Sequence, residues 1–218
     1  MLEDLQEKYF DEIRALLPLH RIFLFALGFI ATLVSQNQTH KSFTESLLHL
    51  DLKRFSFEAG NLLENAQVWH AIFGFLLIFL AWLTSKGITS ALFKYLLKKT
   101  KASEKITAEG KKIRALLSGS RKAALEQLPY FEKQSAAASK KITRIANLGE
   151  LFTGIFICFM SAIWFGNVID FIISIIFFTA ALTSIYMAIF MFYSKYVKFD
   201  ILRSAVSGVS PEISLPSE

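Results

Sequence analysis

The sequence predicts an all-α, polytopic membrane protein with four transmembrane helices and a basic helical cytoplasmic hairpin between the second and third spans. Hydrophobic residues make up 53% of the 218 residues and charged residues only 19%, against about 25% in an ordinary soluble domain. Several uncharged stretches also approach the roughly 20 residues that cross a bilayer. This composition excludes an intrinsically disordered chain, and a single cysteine excludes an internal disulfide framework.

The four candidate spans differ in strength. The stretch from Phe171 to Ser194 carries no charge and predicts a span by itself, whereas the first candidate is strongly apolar only from Ile22 to Val34. Residues 1–21 carry more acids than bases, which a secretory signal peptide does not. A first span is therefore favoured, and a re-entrant or interfacial segment is the alternative. The predicted spans cover residues 22–38, 66–85, 150–167 and 168–194.

Charge predicts the orientation of these spans. The 63 residues from Ser85 to Asn147 hold 15 Lys or Arg and four Glu, and the positive-inside rule places such a segment in the cytoplasm. With four spans, both termini are then cytoplasmic, in a multi-pass protein of the cell (inner) membrane. The remaining segments are an amphipathic N-terminal cytoplasmic helix (1–21), an external segment (39–65), a basic cytoplasmic helical segment (86–149) and a cytoplasmic tail that is disordered at its end (195–218).

The basic segment has a helical pattern at both of its ends. Only Gly87 interrupts the continuation of the second span through Ser90 to Lys98, and Ser135 to Leu148 leads directly into the third span. We expect anionic lipid headgroups to bind this loop. Nucleic acid is not an expected partner, because the segment has no recognised motif and its aromatic residues are too few and too apolar in context; these are Phe93, Tyr95, Tyr130 and Phe131. An acidic protein is the alternative.

The external segment is unusually apolar for a part of the chain outside the bilayer. Phe43, Leu47 and Phe55 represent this character, and the pattern around them fits either a short helix or a strand. Two interpretations stay open. These side chains pack on the outer ends of the spans, or they form a surface for a membrane-protein partner.

Two ionisable side chains lie at the predicted outer end of the spans. Asp170 opens the fourth span and His70 lies near the start of the second, at a similar predicted depth. They are a candidate inter-helix polar pair, either a structural tie or a proton-responsive contact. The alternative for Asp170 is an acid at a helix N-terminus, which the helix dipole favours.

Small residues predict helix packing in the third span. Gly154, Cys158 and Ala162 recur at every fourth position, a spacing that allows transmembrane helices to approach closely. This face serves either the packing of a four-helix bundle or the seam of a homo-oligomer. Cys158 fits the role of a small apolar packing residue.

No catalytic or cofactor-binding signature is present in the sequence. It has no Walker loop, GxSxG, HExxH or metal-ligand framework, so we expect neither an enzyme nor a cofactor or metal. A channel or transporter needs a polar stripe through a span. The candidates for such a stripe are Ser174, Thr179, Thr183 and Ser184.

The predicted plan of four spans, a tight turn at 166–167 and a charged inner loop resembles small bacterial inner-membrane exclusion and immunity proteins. The resemblance is one of architecture and extends over the whole chain. It implies a protein that docks onto another membrane machine and blocks an incoming plasmid, a phage genome or a pore-forming toxin. The alternatives are a channel or transporter subunit, and a membrane anchor or assembly factor.

Overall fold

The computed structural model describes residues 6–11, 19–36, 42–48, 63, 66–100, 108, 126–162 and 167–207, and nearly all of them are helical. Residues 6–11 form a helical N-terminal segment. The other helices are α1 (Leu19–Gln36), α2 (Phe43–Leu48), α3 (Val68–Thr100), α4 (Leu128–Ala162), α5 (Val168–Met191) and α6 (Val197–Ser207), with a π-helical turn at Phe192–Tyr196 between the last two.

Three of the described helical stretches are long and apolar enough to cross a membrane. They are Val68–Leu96, Leu128–Ser161 and Val168–Arg203, of 29, 34 and 36 residues, against the roughly 20 that a bilayer requires. The chain is therefore a membrane protein. A fourth helix, with the shorter apolar stretch Leu19–Ser35, is α1.

Local sequence signals explain where these helices begin. The backbone N–H of Glu45 donates to Ser42 Oγ at 3.0 Å, and Ser and Glu at this spacing are the sequence of a capping box. The N–H of Ile169 donates to Asn167 Oδ1 at 2.9 Å, so an asparagine caps α5. Pro129 lies in the first turn of α4, where its missing N–H costs nothing.

The long helices extend past the predicted ends of the spans. α3 continues through Gly87 to Thr100, and α4 is unbroken from Ser135 into the apolar stretch. Both continuities were expected from the sequence. Several predicted features lie outside the described residues: Phe55, residues 163–166 with Gly166 of the predicted turn, most of the chain between residues 100 and 126, and the end of the tail.

The chain divides into two compact units. The first comprises Met1–Leu17, Gly87–Ala146 and Ile185–Glu218, and the second comprises Pro18–Lys86 and Asn147–Ser184.

Helices in the second unit approach one another through glycine. A Cβ added to Gly28 would lie 3.0 Å from the Cα of Gly74, and one added to Gly154 would collide with a methyl carbon of Leu24. The backbone of α1 therefore passes close to α3, and Leu24 fills the space that Gly154 leaves on α4. This is the close approach that small residues allow between apolar helices.

We expect the contact at Gly74 to tolerate no methyl group without a shift of α1. The Cβ of a Gly74→Ala variant would meet the carbonyl oxygen of Phe25 at 2.9 Å and its ring at 2.8 Å, and overpacking of this kind costs about 1–3 kcal/mol. Thermal unfolding of the purified protein in detergent measures the loss. The matched control is Gly87→Ala on the same helix, which has nothing within 4 Å of the added Cβ and should gain up to about 1 kcal/mol of helix propensity. Equal melting temperatures for the two variants would contradict the close approach.

The core of the first unit is aromatic. Tyr9 from the N-terminal segment packs edge-on against Phe192 with ring centroids 5.3 Å apart, and its ring lies 5.9 Å from that of Phe93. Tyr9 is 1% exposed, and burial raises the pKa of its phenol, so the ring enters this core uncharged. The π-helical turn places Phe192 and Tyr196 in the same core, with their rings stacked.

Polar contacts hold the N-terminal segment onto this core. Lys8 Nζ donates to a carboxylate oxygen of Asp200 on α6 at 2.7 Å, and Asp200 is 1% exposed. Gln6 Nε2 donates to Ser90 Oγ on α3 at 2.8 Å. The first unit therefore joins residues from both ends of the chain.

Candidate functional site

Among the described acids of the second unit, Asp170 is the most completely buried, with no exposed surface. One carboxylate oxygen accepts from the backbone N–H of Phe43 at 2.9 Å. The other accepts from the N–H of Thr44 at 3.0 Å and from its hydroxyl at 2.5 Å. The acid also lies in the first turn of α5, where the helix dipole favours a negative charge. Asp170 thus satisfies the free N–H groups of α2 and attaches that short helix to a membrane-spanning one.

The apolar side of α2 packs inward. Phe43 is 8% exposed and meets the ring of Phe159 edge-on at 5.1 Å, and Leu47 packs against the same core. Of the residues proposed from the sequence as a partner surface, Phe43 and Leu47 therefore pack on the spans, and Phe55 lies outside the described residues. The exposed apolar side chain of α2 is Leu48, at 78%.

His70 is buried near the start of α3 with partners of its own. Its Nδ1 accepts from the backbone N–H of Gln67 at 2.9 Å, and its ring stacks on Trp69 with centroids 3.9 Å apart. Phe29 of α1 lies edge-on to the ring at 6.0 Å. The hydrogen bonds to Asp170 described above come from residues 43 and 44, and the His70–Asp170 pair stays a prediction from the sequence.

A second buried acid joins α1 to α4. The guanidinium of Arg21 donates two hydrogen bonds to the carboxylate of Glu150. Nε donates to Oε1 at 2.8 Å, and Nη2 donates to Oε2 at 3.3 Å. His20 Nε2 lies 3.4 Å from the same Oε1. The side chains of Glu150 and His20 are each 9% exposed, whereas Arg21 is 40% exposed. The carboxylate is therefore enclosed, and its arginine retains access to the surroundings.

Helix length places this ion pair at a depth where unpaired charge is costly. About 20 residues of helix cross the hydrocarbon core, and that length counted back from the end of α4 at Ala162 reaches Thr143. Glu150 falls inside this stretch. A charge at such a depth is costly unless it is paired or reaches the interface, which explains the two-armed contact with Arg21.

Sequence reasoning assigned Arg21 and Glu150 to the ends of two spans and missed their pairing. A signal was present. Glu150 is the one acid between Glu132 and Asp170, and Arg21 is the one cation between Arg14 and Lys41. Two isolated, opposite charges at the same predicted depth in the membrane are expected to pair with each other.

The hydroxyl groups of α5 bond to their own helix. Thr179 and Thr183 each donate to the carbonyl four residues earlier, at 2.9 and 2.8 Å, and Ser174 donates to the carbonyl of Phe171 at 2.8 Å. Bonds of this kind satisfy a hydroxyl inside a membrane helix without a partner. The outer surface that these residues present is consequently less polar than their sequence suggests.

Thr179 and Thr183 line an open groove on α4 and α5, with a volume of about 470 Å³. The small side chains Thr179, Ala180, Thr183 and Ser184 line it together with the larger Phe152, Ile175 and Ile176. The groove lies within the apolar part of both helices, so in a bilayer its contents are lipid tails or another helix.

The small-residue face of α4 also packs inside the second unit. Gly154 lies against Leu24, with Ala81 3.2 Å from its added Cβ. Cys158 is 1% exposed and belongs to the core that contains Phe159. The side chain of Ala162 lies outside the described residues. In the described part of the chain, no group of three or more His, Cys, Asp or Glu side chains is placed to hold a metal ion.

Comparison with protein-family models, with curated proteins and with solved structures gives no match, so the functional argument depends on the residues of this chain.

Proposed function

We propose that α1, α3, α4 and α5 all cross the bilayer, with both termini and the basic segment in the cytoplasm. Helix α1 has 18 residues, about 27 Å of helix, and it packs along α3 at Gly74 and along α4 at Gly154. This packing supports a position among the spans rather than on the membrane surface. In this topology the cytoplasmic halves of α3 and α4 are the two arms of the basic hairpin.

The function that fits this bundle best is non-enzymatic docking onto another membrane protein. The observation that carries the proposal is the groove on α4 and α5. Its small residues recur with helical spacing, and small residues let the backbone of a neighbouring helix come close. Because Thr179 and Thr183 bond to their own helix, the groove offers a transmembrane helix a surface to pack on rather than a wet path for ions.

Within this class, the role we propose is exclusion or immunity in a bacterial inner membrane. Such a protein binds an uptake channel, a conjugation machine or a toxin and blocks the incoming plasmid, phage genome or pore. A small membrane protein can do this by presenting a surface on which a helix of that machine packs. Sensitive cells that express the chain should survive a toxin, exclude a phage or refuse a conjugating plasmid at least about tenfold better than cells without it. Equal sensitivity in all three assays would contradict the exclusion or immunity role. The more general docking proposal is tested separately, by filling the groove.

Filling the groove tests the docking proposal directly. We expect Ala180→Phe to abolish crosslinking to a foreign membrane protein in cells, because a ring at this position occupies the space into which a partner helix packs. Mild-detergent purification followed by mass spectrometry identifies what stays attached. The matched control is Ile172→Phe, on the same helix at an exposed position outside the groove, which should keep the partner.

Three outcomes of this experiment contradict docking through the groove. Ala180→Phe retains the partner, the two variants lose it equally, or the native protein purifies as a homo-oligomer without any foreign protein. The last outcome favours the channel reading, and ion flux through proteoliposomes then tests it.

A further inference from the structure

The cytoplasmic half of α4 has one buried face and one basic face. Ile142 is fully buried in the core of the first unit, whereas Lys140, Lys141 and Arg144 are exposed. Residues 133–149 contain no acid. Within the described part of the chain, none of these three cations forms an ion pair, so their charge is directed outward.

The unbroken helix places these cations at a defined depth. About 20 residues counted back from Ala162 reach Thr143, so Arg144 lies at the edge of the hydrocarbon core. Lys140 and Lys141 lie about 4–6 Å further along the axis, at a rise of 1.5 Å per residue. Headgroups occupy this level of a bilayer.

A second pair of exposed cations follows the last span. Lys195 in the π-helical turn and Lys198 in α6 are exposed. The acid nearest to them along the chain, Asp200, is buried and already bound by Lys8 and Arg203, at 2.7 and 3.0 Å. The charge of Lys195 and Lys198 is therefore not cancelled within α6.

We propose that Lys140, Lys141, Arg144, Lys195 and Lys198, the inner basic cluster, bind the headgroups of acidic phospholipids in the leaflet that α4 and α5 enter. Clustered cations directly beside a transmembrane helix are the recognised electrostatic complement of anionic lipid. A lipid phosphate is held at this depth by its own acyl chains, whereas a soluble anion or an acidic protein has to be brought there. This inference requires insertion of the helices but not the docking function.

Retention of lipid by the purified protein tests the proposal. The purified full-length protein, in detergent with equal amounts of phosphatidylglycerol and phosphatidylcholine, should retain phosphatidylglycerol preferentially in native mass spectrometry. One cation near the headgroups is worth about fivefold in affinity. The variant Lys140→Gln/Lys141→Gln/Arg144→Gln should therefore lose about a hundredfold in that preference.

Two single variants that each remove one positive charge from α4 test whether the position of that charge matters. Arg144→Gln should lose about fivefold in preference, whereas Lys133→Gln, exposed on the same helix but eleven residues further from the bilayer, should change it less than twofold. All three variants change exposed side chains, so their melting temperatures in phosphatidylcholine should match that of the native protein.

Three results would overturn the inference. The triple variant keeps the preference, Lys133→Gln loses as much as Arg144→Gln, or millimolar inorganic phosphate displaces the lipid. If the triple variant instead loses a crosslinked acidic protein while its lipid preference is unchanged, the cluster is a protein surface and the lipid proposal fails.

Discussion

Replacing Arg21 with methionine is expected to lower the free energy of unfolding by about 3–5 kcal/mol, the cost of leaving a buried charge without its partner. Glu150 is 9% exposed and is held by both arms of the guanidinium. After the replacement, the ring nitrogen Nε2 of His20, 3.4 Å from Oε1, is the remaining side-chain group beside the carboxylate in the described residues. Denaturation of the purified protein by sodium dodecyl sulfate, followed by helical circular dichroism, measures the loss.

The reciprocal variant should cost less. Glu150→Gln leaves Arg21 without a carboxylate, but Arg21 is 40% exposed and its long side chain can extend to the interface. The double variant Arg21→Met/Glu150→Leu removes both charges and should be more stable than Arg21→Met alone. If Glu150→Gln proves the more damaging single change, the enclosed group is the arginine, and the assignment of Glu150 as the buried charge is wrong.

Replacing Asp170 with alanine is expected to release α2. The variant removes three hydrogen bonds to residues 43 and 44 and leaves their buried donors unsatisfied, and each such donor costs about 1–3 kcal/mol. The amides of Phe43 and Thr44 should exchange with deuterium at least about 30-fold faster, since 1.4 kcal/mol is tenfold. Hydrogen exchange followed by mass spectrometry measures this rate.

Two further variants show whether the carboxylate itself holds α2. Asp170→Asn keeps one acceptor and should give an intermediate rate. Ser42→Ala removes the contact within the capping box and should cost only about 1 kcal/mol. Unchanged exchange at residues 43 and 44 in Asp170→Ala would show that Phe43 and its packing on Phe159 hold α2 without the acid.

The lengths of the apolar stretches and the positions of the charges predict the helical, membrane-spanning part of this fold, because every span has to match the thickness of the bilayer. The continuation of α3 through Gly87 is equally predictable, since one glycine weakens a helix without ending it. The π-helical turn at Phe192–Tyr196 is not predictable in this way. In that turn Phe192 packs on Tyr9 and stacks on Tyr196, and the contact with Tyr9 joins residues far apart in the chain.

The partners of the buried polar residues could not be predicted from the local sequence. Asp170 stands out in the sequence as an acid at the start of a span, but its partners lie 126 and 127 residues away. Nothing in the pattern of the external segment selects Thr44 as the residue that meets it. For the same reason the sequence leaves two interpretations of Phe43 open, packing on the spans or a partner surface, because the helix that buries it is distant in sequence.

The contact between Lys8 and Asp200 has a consequence for the order of biosynthesis. The two residues are 192 positions apart, so the N-terminal segment leaves the ribosome long before its partner exists. The ring of Tyr9 packs against both Phe93 and Phe192, and Phe192 is translated only with the last span. A chain that stops before residue 192 therefore lacks Phe192 and Asp200, and of the contacts described above its N-terminal segment keeps only those to Ser90 and Phe93 of α3.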